Sequence, residues 1–117
     1  METFASDHDR LDERSLALHR LVAEKVRAAS DLLDKARENL RRWEALDGYV
    51  SPALAEWTRI LAAPANQIVA LLVERSERGT RLRQSSPFAG ILTQQERRAI
   101  YESCSARAYS PRGEPNI

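Results

Sequence analysis

The chain has 117 residues, 43% hydrophobic and 30% charged, with a formal net charge of +1 and a single cysteine, Cys104. That length suits one domain with a modest core, and the balance excludes a disordered chain and a protein that coats nucleic acid by bulk charge. The longest apolar run, Ile68 to Val73, is six residues, against about 20 for a bilayer-spanning helix; with an acidic start, METFASDHDRLDER, that does not read as a secretory signal, the expected location is the cytoplasm.

Residues 1–6 are expected to be flexible, 7–105 to form a single helical domain and 106–117 to be a flexible tail. From Asp7 to Leu46 no Gly or Pro intervenes. Leu11, Leu18, Val22, Val26, Ala29, Leu33, Ala36, Leu40 and Trp43 recur mostly at steps of three, four or seven, which puts them on one helical stripe. Unbroken, this helix would be about 60 Å long at ~1.5 Å per residue, too long for one small core to cover. Two outcomes follow: a break near Ser30–Asp31, with Ser30 capping a second helix, or a long helix paired with its copy. The stripe therefore predicts a homodimer through Leu11, Leu18, Val22, Val26, Leu33 and Leu40.

Asp47-Gly48 ends this element, since Gly readily takes the left-handed conformation at a helix terminus. Ser51 and Pro52 start the next: the serine hydroxyl accepts a free amide, and proline lacks the amide that would go unpaired. Leu54, Trp57, Ile60 and Leu61 form its apolar side. Pro64 then opens a helix carrying Ile68, Leu71 and Leu72, and Ser76 to Gly79 is expected to interrupt it before a short piece over Thr80 to Gln84. Ser85-Ser86-Pro87 forces an extended turn, after which Phe88 is placed to tuck back. Thr93 and Glu96 form a capping box for a final helix to about Ser105. Replacing Thr93 with Ala should cost roughly 1 kcal/mol, the scale of a lost N-cap, and an unchanged denaturant midpoint would refute that helix start. No alternating strand pattern occurs, so the expected fold is an all-α helical bundle of four or five helices with a long N-terminal amphipathic helix.

Catalytic and metal patterns are lacking. Two histidines, His8 and His19, and one cysteine do not give a zinc ligand set, the serines are not in G-x-S-x-G, and there is no phosphate or dinucleotide loop. The expectation is a non-enzyme with no metal and no cofactor. Charge is uneven: residues 1–50 carry nine basic and eleven acidic side chains, residues 51–117 nine basic and six acidic. The basic excess concentrates around RLRQSSPFAGILTQQERRAIY, where Arg81, Arg83, Gln84, Ser85, Ser86, Pro87, Phe88, Arg97 and Arg98 are the candidate partner-binding residues: arginine forks and one aromatic beside a capped helix. A DNA-reading helix-turn-helix centred on Gly90 fits poorly, because Pro87 would fall inside its first helix.

RENLRRW (37–43), AEWTRIL (55–61) and the 81–101 segment, in this order, resemble small helical bacterial proteins, some of them antitoxin-like and associated with nucleotidyltransferase-like toxins. The likeness covers Lys35 to Tyr101 and leaves the first 34 residues outside. It implies a non-enzymatic protein-protein interaction module, an antitoxin-like or accessory partner in a toxin-antitoxin pair. The alternative is a small DNA-binding transcriptional regulator.

Overall fold

The computed structural model describes the backbone of residues 7–109 and the side chains of residues 11–104. It contains six helices and, among the described residues, no strand: α1 (Asp7–Ala28), α2 (Leu32–Asp47), α3 (Pro52–Ile60), α4 (Ala65–Leu72), α5 (Glu77–Gln84) and α6 (Gln94–Tyr109). The all-α expectation holds, with more helices than the four or five expected.

The long first helix is broken between Ala28 and Leu32. Ser30 is not its cap. The residue before α2 is Asp31, which already has helical dihedrals (φ −66°, ψ −13°) and makes no side-chain cap bond; a side-chain cap requires extended backbone at that position. The turn is closed by backbone bonds instead, Leu32 N–H to Ala29 O at 3.0 Å and Leu33 N–H to Ser30 O at 3.1 Å.

Five of the six residues expected at a dimer seam are instead taken up within the chain itself. Val22, Val26, Leu33 and Leu40 are buried in the chain's own core with Trp57, Leu61, Ile68, Leu72, Leu82 and Phe88, and Leu18 packs partly buried against it. α1 lies against α4, α5 and α6, which cover the stripe. Only Leu11 of the six stays exposed. Once α2 folds back, the 22-residue α1 is about 33 Å long at ~1.5 Å per residue, short enough for three helices to shield.

The other local signals set boundaries as expected. Gly48 closes α2 at φ 77°, donating its amide to Glu44 O. Ser51 is extended and accepts from Leu54 N–H at 3.2 Å, with Pro52 in the first turn. The interruption expected over Ser76 to Gly79 lies three residues earlier, at 73–76. Ser76 caps α5 by accepting from Gly79 N–H at 3.0 Å, so α5 begins three residues before Thr80.

Gly79 is there for space. A Cβ on it would lie 2.3 Å from the Glu74 carbonyl oxygen and 3.2 Å from Arg83 Nη1, so α5 can approach the end of α4 only without a side chain at this position. Helix propensity alone would make Gly79→Ala stabilising by up to about 1 kcal/mol. Because the obstacle is backbone, we expect the opposite sign, a loss of about 1–3 kcal/mol as in overpacked cores. Urea unfolding decides it, and a raised midpoint would refute the close approach.

α6 continues to Tyr109, beyond the expected end at Ser105, because Ala106, Arg107 and Ala108 favour helix and the first breaker is Pro111. The expected tail therefore overlaps helix over 106–109. Residues 1–6 and 110–117, expected to be flexible, lie outside the described residues.

Candidate functional site

Residues 85–93 connect α5 to α6, and the structure makes this segment an internal strap rather than a presented loop. Each of the first two helices reaches it with polar side chains. From α1, His19 accepts at Nε2 from the Ser86 hydroxyl at 2.8 Å, its Nδ1–H being directed to Ser15 O at 2.7 Å; a carbonyl only accepts, which sets this tautomer. Lys25 donates to Ile91 O at 3.1 Å and to Glu96 Oε1 at 2.6 Å. From α2, Asn39 donates through Nδ2 to Pro87 O at 2.8 Å and Ala89 O at 2.9 Å. Asn39 is 0% exposed. Backbone groups that have left a helix thus find donors in the interior.

Apolar packing completes the strap. Phe88 meets Trp57 edge to face, with centroids 5.6 Å apart, and His19 at 6.3 Å. Trp57 in turn donates its indole N–H to Leu82 O at 3.1 Å. The capping box ends the segment as expected, Glu96 N–H to Thr93 Oγ1 at 3.0 Å and Thr93 N–H to Glu96 Oε1 at 2.8 Å. The Lys25 ammonium, followed by the Thr93 amide, holds the Glu96 carboxyl below its ordinary pKa.

The nine candidate partner-binding residues are therefore not one surface. Pro87 and Phe88 are buried, and Phe88 is a core residue, not an anchor for a partner. Arg83 is only 6% exposed; its Nη1 donates to Leu72 O at 3.2 Å and Glu74 O at 2.9 Å, capping the end of α4. Burial lowers its pKa from the ordinary arginine value. Arg81 is exposed but doubly bonded to Glu56, at 2.8 and 3.3 Å. That bond is the main cause that lowers the Glu56 pKa; desolvation, next in size, opposes it, and the charges of Arg81, Arg78 and Arg59 add to the lowering. Ser85 and Ser86 are half-buried, and Gln84, Arg97 and Arg98 are exposed. Arg97 donates to the Tyr101 hydroxyl at 2.8 Å.

Ser86 and His19 make the hydrogen bond of a nucleophile and its base, but Phe88 packs edge-on against the imidazole, and neither residue lines either of two surface clefts. One, about 860 Å³, runs between α1 and α5 past Asp12, Glu13, Arg75, Thr80, Arg81 and Gln84; the other, about 510 Å³, lies between α3 and α4 over Ile60, Ala63 and Leu71. Among the described residues no group of three His, Cys, Asp or Glu is placed to hold a metal, and no helix is long and apolar enough to cross a membrane.

His19 makes the fold pH-sensitive. Burial is the main cause that lowers its pKa from 6.5, opposed by the Ser15 bond and assisted by the Arg83 charge. In the unfolded chain the imidazole titrates near 6.5, so below that pH the unfolded state takes up a proton that the folded state refuses. Stability is then full above about pH 6.5 and falls as pH drops towards the lowered folded value. Glu56 and Glu96, also lowered, act only below the ordinary carboxylate range near 4.5. Urea midpoints should decline from pH 7.5 to 5, and His19→Gln should flatten that slope; equal slopes would refute the assignment.

Sequence reasoning missed one surface. Where α2 turns into α3, Leu46 is 77% exposed, Tyr49 65% and Val50 51%. These are large apolar side chains within five residues of the Gly48 turn, with the half-buried Trp43 one helical turn before Leu46. It expected a four-residue break between α4 and α5 but placed it over Ser76 to Gly79 instead of Val73 to Ser76. No family model, no curated protein and no solved structure matches the chain.

Proposed function

We propose that the chain is a non-enzymatic protein-protein interaction module, the antitoxin-like or accessory partner in a bacterial toxin-antitoxin pair. The observation that carries the interaction reading is the apolar corner of Leu46, Tyr49 and Val50. Single exposed apolar residues are ordinary, but three within five residues at one corner are what a partner's apolar surface covers, a tyrosine among them being a frequent anchor. The toxin-antitoxin part rests on the resemblance carried by residues 35–101. The corner is a contact centre within a larger interface, since stable complexes bury about 800 Å² per partner.

The test is reconstitution of a stoichiometric complex from the purified chain and the purified product of an adjacent toxin-like reading frame. Leu46→Glu with Val50→Glu should abolish the complex while leaving the melting temperature unchanged, because neither side chain belongs to the core. Unchanged binding by this variant sinks the corner as the contact. A second copy of the chain covering it would show as a dimer in light scattering that the same pair of replacements dissolves.

A second reading, a small DNA-binding regulator, is favoured by the four-residue connection between α4 and α5, the turn length of a helix-turn-helix. It requires Arg78 and Arg81 to leave Glu56 for phosphate or base edges. Binding of promoter DNA with a steep salt dependence, lost in Arg78→Ala, would favour it over the first reading.

A further inference from the structure

Several arginines of this protein are neutralised internally: Arg37 by Asp34, Arg75 by Glu13, and Arg78 and Arg81 by Glu56. Arg14 on α1 and Arg97 on α6 are different. Both converge on the ring of Tyr101, Arg14 with its guanidinium carbon 4.5 Å from the centroid and Arg97 at 5.7 Å. Arg97 also donates through Nη2 to the Tyr101 hydroxyl at 2.8 Å. Among the described residues neither guanidinium has a carboxylate within salt-bridge distance; Glu13 is bonded to Arg75 and Glu96 to Lys25.

The two distances to one ring put the cations within roughly 10 Å of each other, about a Debye length at 0.1 M salt. The ring face attracts each by about 0.5–1 kcal/mol, which holds both side chains in place and lowers the entropy lost when they grip a ligand. The aromatic ring has no charge to neutralise them. A half-buried tyrosine thus holds two arginine forks from two packed helices, their remaining N–H groups available to a planar anion.

We propose that Arg14, Arg97 and Tyr101 form a receptor for carboxylate side chains of an acidic segment on a protein partner. The proposal deepens the interaction reading and rests on it for its biological use, but the site lies on the α1–α6 face, and its chemistry is tested without the partner. Of the residues singled out in the sequence it keeps Arg97, and it adds Arg14 and Tyr101.

The experiment follows the arginine Nε–H resonances of the full chain by NMR during titration with a short Glu-rich peptide, with the matched Gln-rich peptide, inorganic phosphate and a short single-stranded oligonucleotide as separate arms at constant ionic strength. The expected result is saturable shifts of Arg14 and Arg97 with the Glu-rich peptide only, weakened about tenfold in Arg14→Ala and in Arg97→Gln, the scale of one lost charge-assisted contact. Both variants should melt like the parent. If a variant loses stability, Arg97→Lys provides the second reading: it keeps the charge but not the fork, and should bind several-fold more weakly with α6 intact. Shifts equal to those with the Gln-rich peptide overturn the proposal, as do variants that bind like the parent. Tighter binding of phosphate or of the oligonucleotide overturns it too, in favour of a phosphate site. Failure here leaves the Leu46 corner untouched, and loss of the partner complex on changing that corner leaves this titration untouched.

Discussion

Replacing Trp57 with Ala should remove about 3–5 kcal/mol of stability, the range for truncating a buried aromatic side chain. Trp57 is 1% exposed, meets the edge of Phe88 and donates to the Leu82 carbonyl. The substitution therefore opens a cavity between α3 and the strap and takes one donor from the Leu82 carbonyl, which keeps its bond from the Ser85 amide. Domains of this size are stable by about 5–15 kcal/mol, so the variant should be partly unfolded at moderate urea concentrations. Trp43, the remaining tryptophan, provides the fluorescence probe. A loss under about 1 kcal/mol would mean that the core collapses around the vacancy, and that Trp57 does not seat the strap.

The second large effect concerns Asn39. Removing its amide with Asn39→Ala leaves the carbonyls of Pro87 and Ala89 without their donor and takes from Arg42 the acceptor it reaches at 2.8 Å. The Pro87 acceptor is buried and the Ala89 one only partly so; a buried acceptor left unpaired costs about 1–3 kcal/mol, and the expected loss lies in that range. Asn39→Asp should be worse, since it replaces the donor with a carboxylate aimed at two carbonyl oxygens. Urea unfolding of the two variants should rank parent above Ala above Asp. The reverse order of Ala and Asp would mean that the strap moves away and water fills the position.

Boundaries set by chemistry within four residues were legible in the sequence: Gly48, Ser51 with Pro52, and the Thr93–Glu96 box all lie where their side chains or dihedrals require. The strap was not legible, because its partners lie 48 to 71 residues away. A signal existed nonetheless. His19 and Asn39 are polar residues standing on an apolar stripe, three positions from Val22 and Ala36, where only a satisfied polar group is tolerated. Read that way, Ser-Ser-Pro-Phe becomes a segment to be held from within. The arginines misled because a guanidinium facing solvent and one capping a buried helix end have the same sequence signature. Arg83 differs from Arg81 only in the side of α5 it occupies. The Leu46 corner was missed because the stripe pattern says which residues share a face, not where that face runs out of cover.

The strap has a consequence for biosynthesis. Lys25 and Asn39 pair with residues near 90, and the apolar sides of α1 and α2 close only over elements that follow them in the chain. At about 5–20 residues per second, roughly 65 further residues must be added after Val26 before the strap exists, a delay of about 3 to 13 s. During that interval the nascent chain displays an uncovered row of Leu and Val side chains. A chain terminated before Phe88 would display it permanently, and such fragments should accumulate as chaperone clients or aggregates rather than as smaller folded domains.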